Sequence, residues 1–337
     1  MSVSRLDPKD SILTGLAVVV VFSIIPAGYF GRFDFTGIKG ASSLKTDSLE
    51  LCAFAFLFVS AQTVARFLIN PIGRTLVPRR QSWSREVWIA KVDRFSVAAF
   101  KLVFNCAAVG ILYYLVWNAK WLPHSLGGSG STAECWSIDS ELTDLLRHFY
   151  LSSLGFVLAD IIVHAAVERG RPDFLELILH LIVTFILLSV SYIAGFSRLG
   201  ILVIMSHLIC DIFVYSAKSL VDTKFSGGAL AYIPLLFVHV WFRLFVFGTT
   251  ILRSILVEAP KSIGDLTIIW AYVSVMLSLS LLIHTYWGFV IFKIGLLLLT
   301  TGQSRDLQAN LSSMDVRNFL DDSRTASNAS LANKKIL

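Results

Sequence analysis

The chain has 337 residues, of which 55% are hydrophobic and only 15% charged; its mean hydropathy is +0.71 and its formal net charge +6. Such a composition excludes a soluble globular domain and points to no nucleic-acid partner, leaving a polytopic membrane protein.

A helix that crosses a bilayer needs about 20 apolar residues. Runs of that kind occur at Ser11–Phe30, Leu49–Asn70, Ser96–Trp117, Phe149–Val167, Phe174–Ala194, Leu199–Leu220, Ala229–Leu252 and Leu266–Thr300. The expected fold is therefore an all-α bundle of about eight transmembrane helices, with both termini on one side of the membrane. The first run follows Met1–Asp10 with its Arg5 and Lys9. It is too long for a signal peptide and lacks a small-residue cleavage site, so it reads as a retained crossing.

Loop charge orients the bundle, because cytosolic loops collect Lys and Arg. The loop after the second crossing carries Arg74, Arg79, Arg80, Arg85, Lys91 and Arg94 against Glu86 and Asp93. The loop after the third is Gly/Ser-rich and holds Glu134, Asp139, Glu141 and Asp144 before Arg147. Cytosolic N- and C-termini follow. Cys52, Cys106 and Cys210 fall within crossings and only Cys135 faces the opposite side, so no disulfide framework is expected. Beyond Thr301 the chain turns polar and ends in Lys334-Lys335-Ile336-Leu337, which resembles a dilysine retrieval signal of endoplasmic reticulum membrane proteins.

Ionisable side chains at membrane depth cost at least ~2.5 kcal/mol on insertion scales and are functional hypotheses by default. Residues four apart share a helix face, and four successive crossings carry such pairs: Asp160 and His164, Glu176 and His180, His207 and Asp211, His239 and Arg243. Thr184 continues the second of these rows, and Ser191–Gly200 is read as the connector that leads to the third. Counting ~1.5 Å per residue from the cytosolic ends places Asp160, His180, His207, Asp211 and His239 in the cytosolic half. Turned inward, they would line one polar chamber. Histidine near neutral pKa can take a proton or accept an acyl group, and a carboxylate one turn away can fix an imidazole tautomer, as Asp211 is expected to do for His207. The plain alternative is a set of interhelical hydrogen bonds worth ~0.6 kcal/mol each. His180, His207 and Asp211 have the donor types for a metal, but no dedicated zinc spacing occurs, so no metal is expected.

The stretch Asp173–Gly248 resembles the TLC-domain family and, within it, the ceramide synthases. The resemblance rests on Asp173-Phe174-Leu175, His180, Val183-Thr184, Ser189–Ile193, Arg198-Leu199-Gly200, His207, Asp211 and Ala217-Lys218, with the two histidines 27 positions apart. Lys91–Phe100, Arg243-Leu244 and Leu281–His284 with Trp287 and Lys293 extend it to about Lys91–Ser304. It implies a TLC-type helical bundle at 91–304, preceded at 1–90 by two crossings and a basic cytosolic loop, and followed at 305–337 by a polar tail. Ceramide synthases normally carry a His-His pair and a His-Asp-x-x-Asp element; here leucine stands at Leu181 and Leu208.

The resemblance implies an N-acyltransferase of the endoplasmic reticulum that moves a fatty acyl group from acyl-CoA to the amine of a sphingoid base, with acyl-CoA as co-substrate and no other cofactor. His180, His207 and Asp211 would be catalytic; Asp160, Glu176, His239 and Arg243 would support them or bind substrate, Arg243 pairing with a buried carboxylate. Arg74, Arg79, Arg80 and Arg85 could attract the CoA phosphates, although topology and anionic lipid explain a basic cytosolic loop without any substrate. A catalytically silent TLC subunit that regulates a partner synthase, and a translocation-associated or cargo-receptor TLC protein, are the alternatives. Homodimer and heterodimer with another TLC protein both stay open.

Overall fold

The computed structural model describes residues 41–79, 83–137, 142–167, 174–225, 231–262 and 268–301. Nearly all of them are helical, and seven helices are long and apolar enough to cross a membrane. These are α1 (Ala41–Leu76), α2 (Arg85–Val116), α3 (Asp144–Val167), α4 (Phe174–Ile193), α5 (Ser197–Leu220), α6 (Tyr232–Ser262) and α7 (Ile268–Thr301). The chain is thus a multi-pass membrane protein with a helical-bundle fold. The expected first crossing at Ser11–Phe30 and the Lys334–Leu337 tail lie outside the described residues.

Helix α5 is the axis. Leu199, Ile201, Leu202, Val203, Ile204 and Met205 are all buried, so this stretch is apolar around its whole circumference, the signature of a helix enclosed by others. It packs chiefly on α2 and α6, while α1 lies against α3 and α2. Large side chains of α1 such as Phe56, Phe67 and Leu68 point outward, where lipid would replace protein contacts.

The connector between α4 and α5 is shorter than the expected Ser191–Gly200. Helix α4 runs to Ile193, and only Ala194, Gly195 and Phe196 are non-helical. Gly195 takes φ +79°, open to glycine without a Cβ clash. The Phe196 N–H donates to the Ser191 carbonyl at 2.8 Å and the Gly195 N–H to that of Tyr192 at 3.4 Å, a Schellman closure of the helix end. Gly200 then lets Tyr150 approach so closely that a Cβ would meet its hydroxyl at 2.2 Å. That hydroxyl donates to the Leu188 carbonyl at 2.8 Å, tying α3 to α4.

Helix α6 extends ten residues past the expected end at Leu252. It is π-helical over His239–Leu252 and Ser254–Glu258. In an i→i+5 ladder the carbonyl of Ile255 would take the N–H of residue 260, but Pro260 has none. The Trp270 indole supplies it instead, at 2.8 Å. His239, Arg243, Phe247, Ile251, Ile255 and Ala259, every fourth residue, form one buried stripe along this helix.

Residues 117–137 cap one end of the bundle. Trp121, Leu122, Leu126, Cys135 and Trp136 are buried there. Trp136 donates to Ser254 Oγ at 2.9 Å, Thr132 to Glu258 Oε2 at 2.6 Å, and Arg198 to Ser137 Oγ at 2.7 Å, so the cap is hydrogen-bonded to α5 and α6. Beside it, Asp47 receives Arg147 and Tyr192, and Glu50 receives Arg147 and His148, joining α1, α3 and α4.

Candidate functional site

One cavity of about 220 Å³ opens between α2, α3, α4, α5, α6 and α7. Its walls include Asp160, His180, His207, Asp211, His239 and Arg243, six of the seven residues singled out in the sequence. The seventh, Glu176, is exposed and outside this lining, so it does not orient His180. Most of the remaining wall is apolar, with Phe104, Phe156, Leu177, Val203, Val214 and Ile291 among its residues.

At its centre three imidazoles meet. The rings of His180 and His207 are near-parallel with centroids 6.1 Å apart, and His284 of α7 stands edge-on to both, at 5.8 Å and 5.0 Å. His284 escaped the sequence reading as a site residue because it has no ionisable partner on its own face; neighbours 280 and 288 are serine and glycine. Its signal was only its place among the final-helix residues.

Arg243 organises the cluster. Its NH2 donates to Asp211 Oδ1 at 2.6 Å and its NH1 to His284 Nε2 at 3.1 Å. The expected pairing of Arg243 with a carboxylate is therefore present, through Asp211. That pairing overturns a second expectation. His207 is not held by Asp211; its Nδ1 donates to the Val203 carbonyl one turn back at 2.8 Å, a stronger local claim because Asp211 is committed to the guanidinium. His239 donates from Nε2 to the backbone carbonyl of His284 at 3.0 Å, and its Nδ1 lies 3.8 Å from Cys210 Sγ.

Asp160 lines the cavity but belongs to a different polar group. Its oxygens receive Gln62 Nε2 at 2.7 Å and Lys101 Nζ at 2.6 Å, and Lys101 also lies over the rings of Tyr215 and Phe156. This ion pair forms part of the boundary with a second cavity of about 110 Å³, where Arg94, His164 and Asp222 lie. His164 stacks on Phe174 and takes no part in the histidine cluster. Lys91 and Arg94 pair with Asp222, at 3.0 and 3.8 Å, whereas Arg74, Arg79 and Arg85 are exposed; Arg80 lies outside the described residues.

Leu181 and Leu208, the two departures from the ceramide synthase pattern, both face the main cavity. The polar wall is therefore replaced by hydrocarbon at those points. One ring nitrogen from each of His180, His207 and His284 lies within 4.8 Å of one from each of the others, so this triad has the donor set for a divalent ion such as zinc. His207 Nε2 has the free lone pair such an ion needs, whereas Nε2 of His284 is already engaged by Arg243.

Comparison with known proteins agrees with this architecture. The chain is 25% identical over 231 residues to ceramide synthase hyl-1 of Caenorhabditis elegans, covering 64% of this chain and 59% of that protein. It is 26% identical over 258 residues to ASC1-like protein 3 of Oryza sativa subsp. japonica, covering 74% and 89%. Against human ceramide synthase 5 it is 27% identical over 218 residues, covering 64% and 52%. The match thus spans less than two thirds of the length of either synthase. The TLC domain model matches residues 94–293, from the first turns of α2 into the last third of α7 and across the whole histidine cluster, and on that match the chain belongs to the TLC domain family.

Proposed function

We propose that this protein is a ceramide synthase-like N-acyltransferase of the endoplasmic reticulum membrane, joining a fatty acyl group from acyl-CoA to the amine of a sphingoid base. The observation that supports this reading most is the cluster of His180, His207 and His284 around Arg243, set in a cavity whose other walls are apolar enough for an acyl chain. Ceramide synthases among its relatives supply the substrate class.

The acyl-CoA enters from the cytosolic side and the long-chain base from the bilayer. His180 acts as the base or as a transient acyl acceptor, and His207 receives the amine. Apolar side chains such as Val203, Val214 and Ile291 hold the chain. No cofactor beyond the acyl donor is required. The bundle formed by 91–304 carries the chemistry, and the exposed Arg74, Arg79 and Arg85 draw the CoA phosphates.

A second reading is favoured by one observation: Leu181 and Leu208 face the cavity at positions where the synthase pattern has His and Asp. A silent TLC subunit that pairs with an active synthase would keep the cavity and lose those groups. Acyl transfer by purified protein with a panel of acyl-CoAs tests both readings. The enzyme reading expects turnover that falls at least 100-fold in His180→Ala. Turnover unchanged in that variant removes the mechanism. An inactive native chain made active by Leu181→His establishes the subunit reading.

A further inference from the structure

We infer that His284 supplies the N–H that receives the oxygen of the reacting acyl carbonyl, an assignment that rests on the acyl-transfer reading above. The residue is 1% exposed, and its Nε2 lies 3.1 Å from NH1 of Arg243. A guanidinium carries five donors, no acceptor and a permanent charge, so Nε2 must be the accepting nitrogen. In the neutral ring the proton then sits on Nδ1. That nitrogen is buried and has no hydrogen-bond partner among the described residues.

The neighbouring rings are set the other way. A backbone carbonyl can only accept, so His207, bonded to Val203 through Nδ1, carries its proton there and keeps a lone pair on Nε2. His239 spends its N–H on the His284 carbonyl. Of the three rings whose tautomers are fixed in this way, His284 alone has a hydrogen left to give. Buried donors are nearly always satisfied in folded proteins, and one left open in a cavity wall is a place for an oxygen that arrives with a ligand.

The reaction fits that arrangement atom by atom. The amine nitrogen attacks the thioester carbon, forming the C–N bond, while the carbonyl π pair moves to oxygen against the His284 N–H. Collapse restores C=O, breaks the C–S bond and expels the CoA thiolate. The proton lost by the amine passes to a histidine lone pair, at His207 Nε2 or His180, and on to the sulfur. Arg243 and Asp211 are positioning residues: the carboxylate holds the guanidinium at 2.6 Å, and the guanidinium fixes the tautomer of His284.

Palmitoyl-CoA labelled with ¹³C at the thioester carbonyl, bound to the purified full chain without an amine, tests the assignment by isotope-edited infrared spectroscopy. The bound carbonyl band is expected below its position in detergent alone. In His284→Leu it should move back up, with kcat falling 100- to 1000-fold and KM changing little. His284→Asn, which keeps an N–H donor, should recover part of both. A lowered band and near-native kcat in His284→Leu overturn the assignment. Should the substitution unfold the chain, ¹⁵N shifts of histidine in the native protein decide: protonated Nδ1 at His284 supports it and protonated Nε2 overturns it. A native chain that transfers acyl groups but shows no band shift overturns this assignment alone. A native chain that neither binds the thioester nor transfers from it overturns the functional reading itself.

Discussion

Asp211 Oδ1 and Arg243 NH2 lie 2.6 Å apart, joining α5 to α6 at the point where both helices face the histidines. Arg243 is buried and Asp211 half-buried, and removing one member of such a pair leaves the other uncompensated, which costs more than removing both. Arg243→Ala is expected to lower stability by roughly 3 kcal/mol. Arg243→Ala combined with Asp211→Leu should recover part of that loss. Thermal unfolding in detergent checks it, and equal losses in the single and double variants would count against the pairing as a structural element. Arg243→Lys keeps the charge but has no fork to serve Asp211 and His284 together, so it should remain folded and be impaired in turnover.

Gly200→Ala puts a methyl group where the Tyr150 hydroxyl now sits, 2.2 Å from the new carbon. The cost expected is about 1–3 kcal/mol, the usual range for overpacking. Tyr150→Phe in the same chain should relieve part of it by removing the oxygen, although ring carbons at 2.8 Å and beyond remain. If Gly200→Ala is as stable as the native protein, α3 and α5 are not packed as closely as described.

Three imidazole nitrogens within 4.8 Å invite a zinc ion, and the hydrogen-bond pattern argues against a need for one. With its proton on Nδ1, His284 has no lone pair free for a metal while Arg243 occupies Nε2. Acyl transfer should therefore persist after dialysis against a chelator. Loss of turnover with chelator and recovery with added zinc would show that the triad works as a metal centre.

Cys135 tests the integrity of the cap. Burial pushes its thiol up to about 12, and the nearby Arg198 offsets only part of that. Since the thiolate is the reactive form, roughly one thiol in ten thousand is reactive at pH 8, and alkylation should be slow until the cap opens. The sign follows for stability: the unfolded thiol ionises first, so folding weakens as pH rises above the ordinary thiol range near 8.5. Mass-spectrometric labelling at pH 8, with and without denaturant, checks the prediction; rapid labelling in the native state would show that the cap is not closed over Cys135.

Much of this site could be read from the chain because membrane depth makes ionisable residues conspicuous. Asp160, His180, His207, Asp211, His239 and Arg243 announce themselves against an apolar background and do face a common space. Which of them touch was not legible. Helical spacing pairs His207 with Asp211 and Glu176 with His180, but side chains reach across helices as readily as along them. Asp211 goes to Arg243, His207 to its own backbone, Asp160 to Lys101 and Glu176 outward. His284 shows the opposite limit: with serine and glycine one turn away on either side, nothing local distinguishes it from a core histidine. Helix ends were missed where polar residues continue a helix beyond its apolar run, as at Arg85–Phe95 in α2 and Arg253–Ser262 in α6.

The π-helical length of α6 has a consequence for how this protein can vary. The rod that holds His239 and Arg243 at one end holds Ser254 and Glu258 under the cap at the other, and its ladder closes at Pro260 only because Trp270 lends a proton. Exchange of one outward-facing side chain for another, at Trp241 or Phe245, disturbs neither end. Gain or loss of a single residue rotates one end against the other and would dislodge imidazoles and cap together, so natural variants in this stretch should differ in spelling and not in length.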